Sequence, residues 1–141
     1  MLAQLLGKVN LKRLVLTNFA VFAYIFVSNF IIHGVILKNT YMETASLWRP
    51  ESEMHSQMLW MLLGQFLIAK GISSLFAKSY EKKGVKEGIR FGLFAAPLYV
   101  GPYFIQYAVT PIPMSLLFAW VGLGFIQVVL GGVVASLVYK R

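Results

Sequence analysis

His33 and His55 are the only histidines in the chain, and with Glu51 and Lys70 they are the side chains with the most evident chemistry. Two imidazoles at one level would suit a bis-histidine haem. Glu51 precedes His55 by four residues, which places carboxylate and imidazole on one helical face, a set suited to zinc, iron or copper. No HxxxH or ExxH pattern accompanies them, and no third ligand lies within the apolar segments. The plainer reading is a pair of histidines at a polar boundary, hydrogen-bonded locally. We therefore expect no metal and no cofactor, and His33 and His55 are the only residues from which a cofactor site could be assembled.

Lys70 raises a second question, because it interrupts the apolar run FLIAKGISSLF. A lysine there either snorkels to a polar boundary along its own stem or faces inward to a partner. Asn18, Asn29 and His33 fall within about 60° of one another on a helical wheel. His55, Lys70, Ser73 and Ser74 share a face in the same way. If the two faces meet, they form a polar seam in which Asn18 and Glu87 could hold Lys70. Such a site would bind an anionic headgroup or the carboxylate of a partner.

The elements that must position these residues are long and apolar. The 141 residues are 58% hydrophobic and 13% charged, against about 25% charged in ordinary soluble domains. Apolar segments run over about 14–37, 58–77, 89–109 and 114–139, each of the ~20 residues that a helix needs to cross a bilayer. Backbone groups in hydrocarbon must be satisfied within the segment, so the expected elements are helices. Pro50 fits a first helical position, and Glu51 and Glu53 complement a helix N-terminus, so the second helix should begin near residue 50. The expected fold is an all-α membrane protein: one domain over 1–141, with four transmembrane helices at about 14–37, 50–78, 87–109 and 114–139 in an up-down antiparallel bundle.

Charge sets the expected orientation. Lys8, Lys12 and Arg13, then Lys78, Lys82, Lys83, Lys86 and Arg90, then Lys140 and Arg141 fall on one side, against Lys38 and Arg49 on the other. By the positive-inside rule both termini are cytoplasmic. The net charge of +8 is distributed around apolar runs rather than over one water-exposed face, so nucleic acid is not an expected partner. The first segment is too long for a cleaved signal peptide and is read as a retained helix.

Packing faces follow from small residues. On the third helix Gly88 and Gly92 form a GxxxG in EGIRFG, on a stripe with Ala95, Tyr99, Tyr103 and Gln106. On the fourth, Gly124, Gly131 and Ala135 line up, with Gln127 at the margin. With the short VTPIP connection between them, these faces should close a tight hairpin. Pro97 and Pro102 can bend the third helix and could border a cavity. Tyr41, Trp48, Trp60, Tyr103, Tyr107 and Trp120 read as one interfacial belt, and Tyr80 and Tyr139 as the other.

Several functions are excluded. The chain has no cysteine, which rules out disulfides, thiol redox chemistry and thiolate metal sites. It has no aspartate, and its five glutamates (43, 51, 53, 81 and 87) lie at or beyond the segment ends, so a proton-coupled antiporter lacks its carboxylate. No nucleophile elbow, P-loop or dinucleotide fingerprint occurs. The run His33–Gly34, Tyr41, Leu47–Trp48–Arg49–Pro50–Glu51, followed by KG and EGIRFG, resembles small four-helix bacterial membrane proteins of unknown function. That resemblance implies an architecture in the bacterial cytoplasmic membrane and brings no activity or catalytic residue. The expected role is a non-enzymatic accessory, anchoring or assembly subunit, whose partners are the lipid bilayer and other membrane subunits or itself. The alternatives are a homo-oligomeric transporter or channel lined by Lys70 and the Pro97–Pro102 segment, and a haem- or metal-binding electron-transfer subunit.

Overall fold

The computed structural model describes residues 9–140 and is all-helical, with no strand among the described residues. Lys8 and Arg141, which enter the charge bias, lie outside them. Helix α1 spans Leu11–Asn29 and continues as a π-helical turn over Phe30–Ile36. Its start is set by Asn10, whose side chain accepts from the Arg13 N–H as an N-cap. A short α2 (Lys38–Glu43) and a 3-10 turn (Ala45–Leu47) form the long connection. A single turn, α3 (Glu51–Met54), leads through a 3-10 turn (His55–Gln57) into α4 (Met58–Lys78). Pro50 precedes α3 with φ −57°, and Glu51 and Glu53 occupy its first turn. Helices α5 (Val85–Val109) and α6 (Met114–Val138) complete the chain.

Three of these helical stretches are long and apolar enough to cross a membrane: Leu11–Ile36, Glu51–Lys78 and Met114–Val138. Helix α5 is as long as α6, but it carries Lys86, Glu87 and Arg90 in its first turns, two prolines, and Tyr99, Tyr103 and Tyr107. That composition sets it apart from the other three.

Helix α6 is the centre of the fold. It packs most extensively on α5 and also meets α1 and α4; α1 in turn packs on α4, while α4 and α5 barely touch. Across the bundle the order is therefore α5, α6, α1, α4. At the end that carries the chain termini, Val21, Ile25, Ala69, Ile72, Phe76, Ala135 and Tyr139 form one core. At the opposite end Ile32, Leu37, Ile112, Leu116, Leu117 and Trp120 form another. Because α6 is buried on two sides, Gly124, Gly131, Gly132, Ala135 and Ser136 are all buried.

The hairpin of α5 and α6 closes through glycine, but not through all the expected ones. A Cβ on Gly88 would stand 2.5 Å from the Gly132 carbonyl oxygen, and one on Gly92 would collide with the Val129 Cα. The partner of the GxxxG is thus Gly132 and its neighbours. Gly124 does face α5, where a Cβ would lie 3.0 Å from the Tyr103 ring and 3.3 Å from that of Tyr99. Gly131 instead faces Tyr24 of α1 and Ile72 of α4, and Ala135 belongs to the same α1–α4 side. The reason is geometric: neighbouring residues on a helix differ by 100°, so Gly131 and Gly132 serve opposite faces of a helix buried twice.

The turn between α4 and α5 is held by two glutamates. Glu87 is 2% exposed, and its carboxylate accepts from the Glu81 N–H at 2.5 Å and the Lys83 N–H at 2.9 Å. It sits in the first turn of α5 and reaches back over the loop as an N3 glutamate does. Lys82 and Gly84, both at positive φ, complete the tight reversal. Glu81 pairs with Arg90 at 2.7 Å and Lys83 at 2.6 Å, and these bonds hold its carboxyl down to about 2. A depressed carboxyl contributes stability above its ordinary value, near 4.5, and loses it as pH falls through the folded value. Acidification from pH 5 to 2 should therefore loosen this turn, read as lower amide protection relative to the intrinsic exchange rate at Glu81–Val85, and Glu81→Gln should remove that change in protection. Identical pH profiles for the two proteins would refute the role of the pair.

Candidate functional site

Two hydrogen-bonded polar clusters join the helices. The deeper one is centred on Gln127, midway along α6 and 4% exposed. Its Nε2 donates to Ser28 Oγ at 2.7 Å and to Asn29 Oδ1 at 2.9 Å on α1. Its Oε1 accepts from the Tyr99 hydroxyl on α5 at 3.0 Å, and its backbone carbonyl accepts from the Tyr24 hydroxyl at 3.1 Å. One side chain thus joins three helices with every hydrogen-bonding atom engaged. Asn29 is in this cluster; His33, one turn on, is not.

His33 belongs to the second cluster, under the long connection. Its Nδ1 lies 2.6 Å from the Tyr41 hydroxyl, and Trp120 Nε1 donates to the same hydroxyl at 2.7 Å. An indole N–H can only donate, so the Tyr41 oxygen accepts from Trp120, and its contact with His33 Nδ1 gives that ring nitrogen a local partner. Burial pushes the Tyr41 hydroxyl up, which keeps its proton available for this contact. Trp48 packs edge-on against Tyr41 and lies 6.0 Å from the Trp120 ring. Tyr103 continues the aromatic contact from Trp120 to Tyr99. His33 sits in the π-helical turn, where Leu37 N–H bonds to Ile32 O; such a turn shifts the register beyond Asn29 and is frequent at functional sites.

This cluster pins α2 and the 3-10 turn onto the ends of α1 and α6. Tyr41→Phe would leave the Trp120 N–H and His33 Nδ1 without partners, at a cost of about 1–3 kcal/mol. We expect the connection between residues 38 and 50 to become sensitive to protease in the variant while the wild type resists. Equal cleavage rates would show that the aromatic contacts alone hold it.

Other candidate residues are separated. His55 is exposed in the 3-10 turn before α4, and no hydrogen bond or ring contact joins it to His33 among the described residues. No group of three metal-ligating side chains occurs among the described residues. Lys70 is exposed on α4 and has no ion-pair partner among the described residues, while Glu87 is engaged with the α4–α5 turn. The buried Oδ1 of Asn18 is unpaired, and so are the oxygens of Gln65 and Ser73, two buried residues of α4. Pro97 and Pro102 are exposed on α5. The two best-formed clefts are both superficial. One of about 500 Å³ lies between Trp48, Arg49 and the start of α4, and one of about 220 Å³ lies between α1 and α6.

Sequence reasoning missed the Tyr41–Trp120 link, which spans 79 residues, and the centrality of Gln127. The signal for Gln127 was present: it is the only polar amide within a long apolar run of α6. No protein-family model, no curated protein and no solved structure matches the chain.

Proposed function

We propose that the chain is a four-span integral membrane protein, with both termini cytoplasmic, that serves as a non-enzymatic accessory or anchoring subunit of a membrane complex. Three helices are long and apolar enough to serve as spans, which supports the reading. The fourth, α5, is supported by its contact with α6: glycine holds the two backbones together from Gly88–Gly132 to Gly92–Val129, so a bilayer around α6 also surrounds α5. The basic residues near the termini and in the α4–α5 turn support the orientation.

The observation that carries the subunit reading is the closure of the Gln127 cluster. Its donors and acceptors are consumed across α1, α5 and α6, so the interior is built as a scaffold rather than as a lined path. Lys70, which has no ion-pair partner among the described residues, lies on the outside, while the buried oxygens without partners are those of Asn18 on α1 and of Gln65 and Ser73 on α4. Native mass spectrometry of the protein extracted in mild detergent from its own membrane tests the reading. A mass containing other chains is expected; a homo-oligomer alone would overturn it in favour of transport, and an added haem mass would overturn it in favour of electron transfer.

A further inference from the structure

Resting on the subunit reading, we propose that the outward face of α4 around Lys70 docks a transmembrane helix of another protein, one that carries a carboxylate at the depth of Lys70.

Leu63, Leu67, Lys70, Gly71 and Ser74 share one face of α4, with Gly64 at its edge. Leu63 and Leu67 are 44% and 56% exposed among the described residues. Lys70 stands eight residues before the end of α4 at Lys78, about 12 Å along the axis. An ionisable group at that depth pairs or reaches water.

Reaching water is opposed by helix geometry. Cα–Cβ bonds tilt toward the helix N-terminus. The N-terminus of α4 is at the far side of the bilayer, so the Lys70 stem leaves its backbone toward the bilayer centre and away from the nearer boundary. The next turn toward that boundary offers Gly71 and Ser74, which give the stem little apolar surface to lie along.

A second copy of the chain cannot supply the counter-charge. It has no aspartate; Glu43, Glu51 and Glu53 are at the opposite end, and Glu81 and Glu87 are engaged in the α4–α5 turn. The pairing carboxylate must come from a different protein. Gly64 and Gly71 have nothing within 4 Å of a would-be Cβ, so they leave room for a partner backbone to approach beside the charge.

Benzoylphenylalanine is placed at the exposed Leu67 and, as a control face, at Phe94 of α5, 78% exposed. The full chain is irradiated in its native membrane. We expect Leu67 to capture a foreign peptide with an Asp or Glu inside an apolar segment. The yield should fall at least about tenfold in Lys70→Met and be kept in Lys70→Arg. Lipid adducts alone, a second copy, a peptide without an acid, or an undiminished yield in Lys70→Met would each overturn the inference. Membrane levels of each variant show that it is folded and inserted. Partner chains in the native mass with only lipid at Leu67 would sink the docking face and leave the subunit reading standing. No partner in either experiment would remove both.

Discussion

Gly132→Ala will destabilise the bundle by about 1–3 kcal/mol or more, whereas Gly122→Ala, ten residues earlier on the same helix, will leave it unchanged or slightly stabilised. A Cβ on Gly132 would overlap the Gly88 carbonyl oxygen and stand 3.2 Å from the Gly92 nitrogen. Both neighbours are backbone, so no side chain can turn aside and the two helices must move apart. Separation would also loosen the Gly92–Val129 contact and the Tyr99–Gln127 bond further along the same interface. A Cβ on Gly122 meets nothing within 4 Å, so alanine there keeps the packing and recovers the helix propensity that glycine lacks, up to about 1 kcal/mol. Tryptophan-monitored thermal unfolding in detergent separates the two cases. The midpoint should fall by several degrees for Gly132→Ala and not for Gly122→Ala; equal midpoints would mean that the α5–α6 contact is looser than the structure has it.

That pair also shows where a sequence is legible and where it is not. The helices could be read because their cause is local: apolar length, Pro50 at a helix start, and glycine punctuation in EKKGVKEG. The GxxxG of α5 could be read because α5 has one packed face. Helix α6 could not, because a helix buried on two sides has small and apolar residues all around and no single stripe. Choosing Gly132 over Gly131 as the partner of α5 needed the order of helices in the bundle, and the weak contact between α4 and α5 is written in no local pattern. His33 was legible as a polar residue near a boundary, but its partner was not. Tyr41 and Trp120 read as belt residues, and only the fold of the 38–48 connection turns them inward onto one another. Lys70 was visible from the start; its placement on the outward face of α4 is what the structure adds.

Gln127→Leu will cost about 2 kcal/mol and will do so through three bonds at once. Leucine is close in volume, so the packing with Val128 and Gly131 on either side need not change. What is lost is the donor to Ser28 and Asn29 and the acceptor for Tyr99, each an interhelical bond. Such bonds are worth about 0.6 kcal/mol on average in a membrane, with a ceiling near 1.7. Ser28 Oγ retains its bond to the Ile25 carbonyl, so the stranded groups are Asn29 Oδ1 and the Tyr99 hydroxyl. Tyr99→Phe on the leucine background removes one stranded group and should cost nothing further, or restore some stability. Tyr24→Phe acts differently, because Tyr24 bonds the backbone carbonyl of residue 127 and keeps that bond whichever side chain is present, so its cost should add to that of Gln127→Leu. The cycle is read by the same unfolding measurement. Coupling between positions 99 and 127, with additivity between 24 and 127, identifies the cluster as the seam that fixes α1, α5 and α6. If Gln127→Leu instead keeps full stability but the co-purifying chains are lost, the amide acts on a partner and not on the fold, and the scaffold account of the interior must be given up.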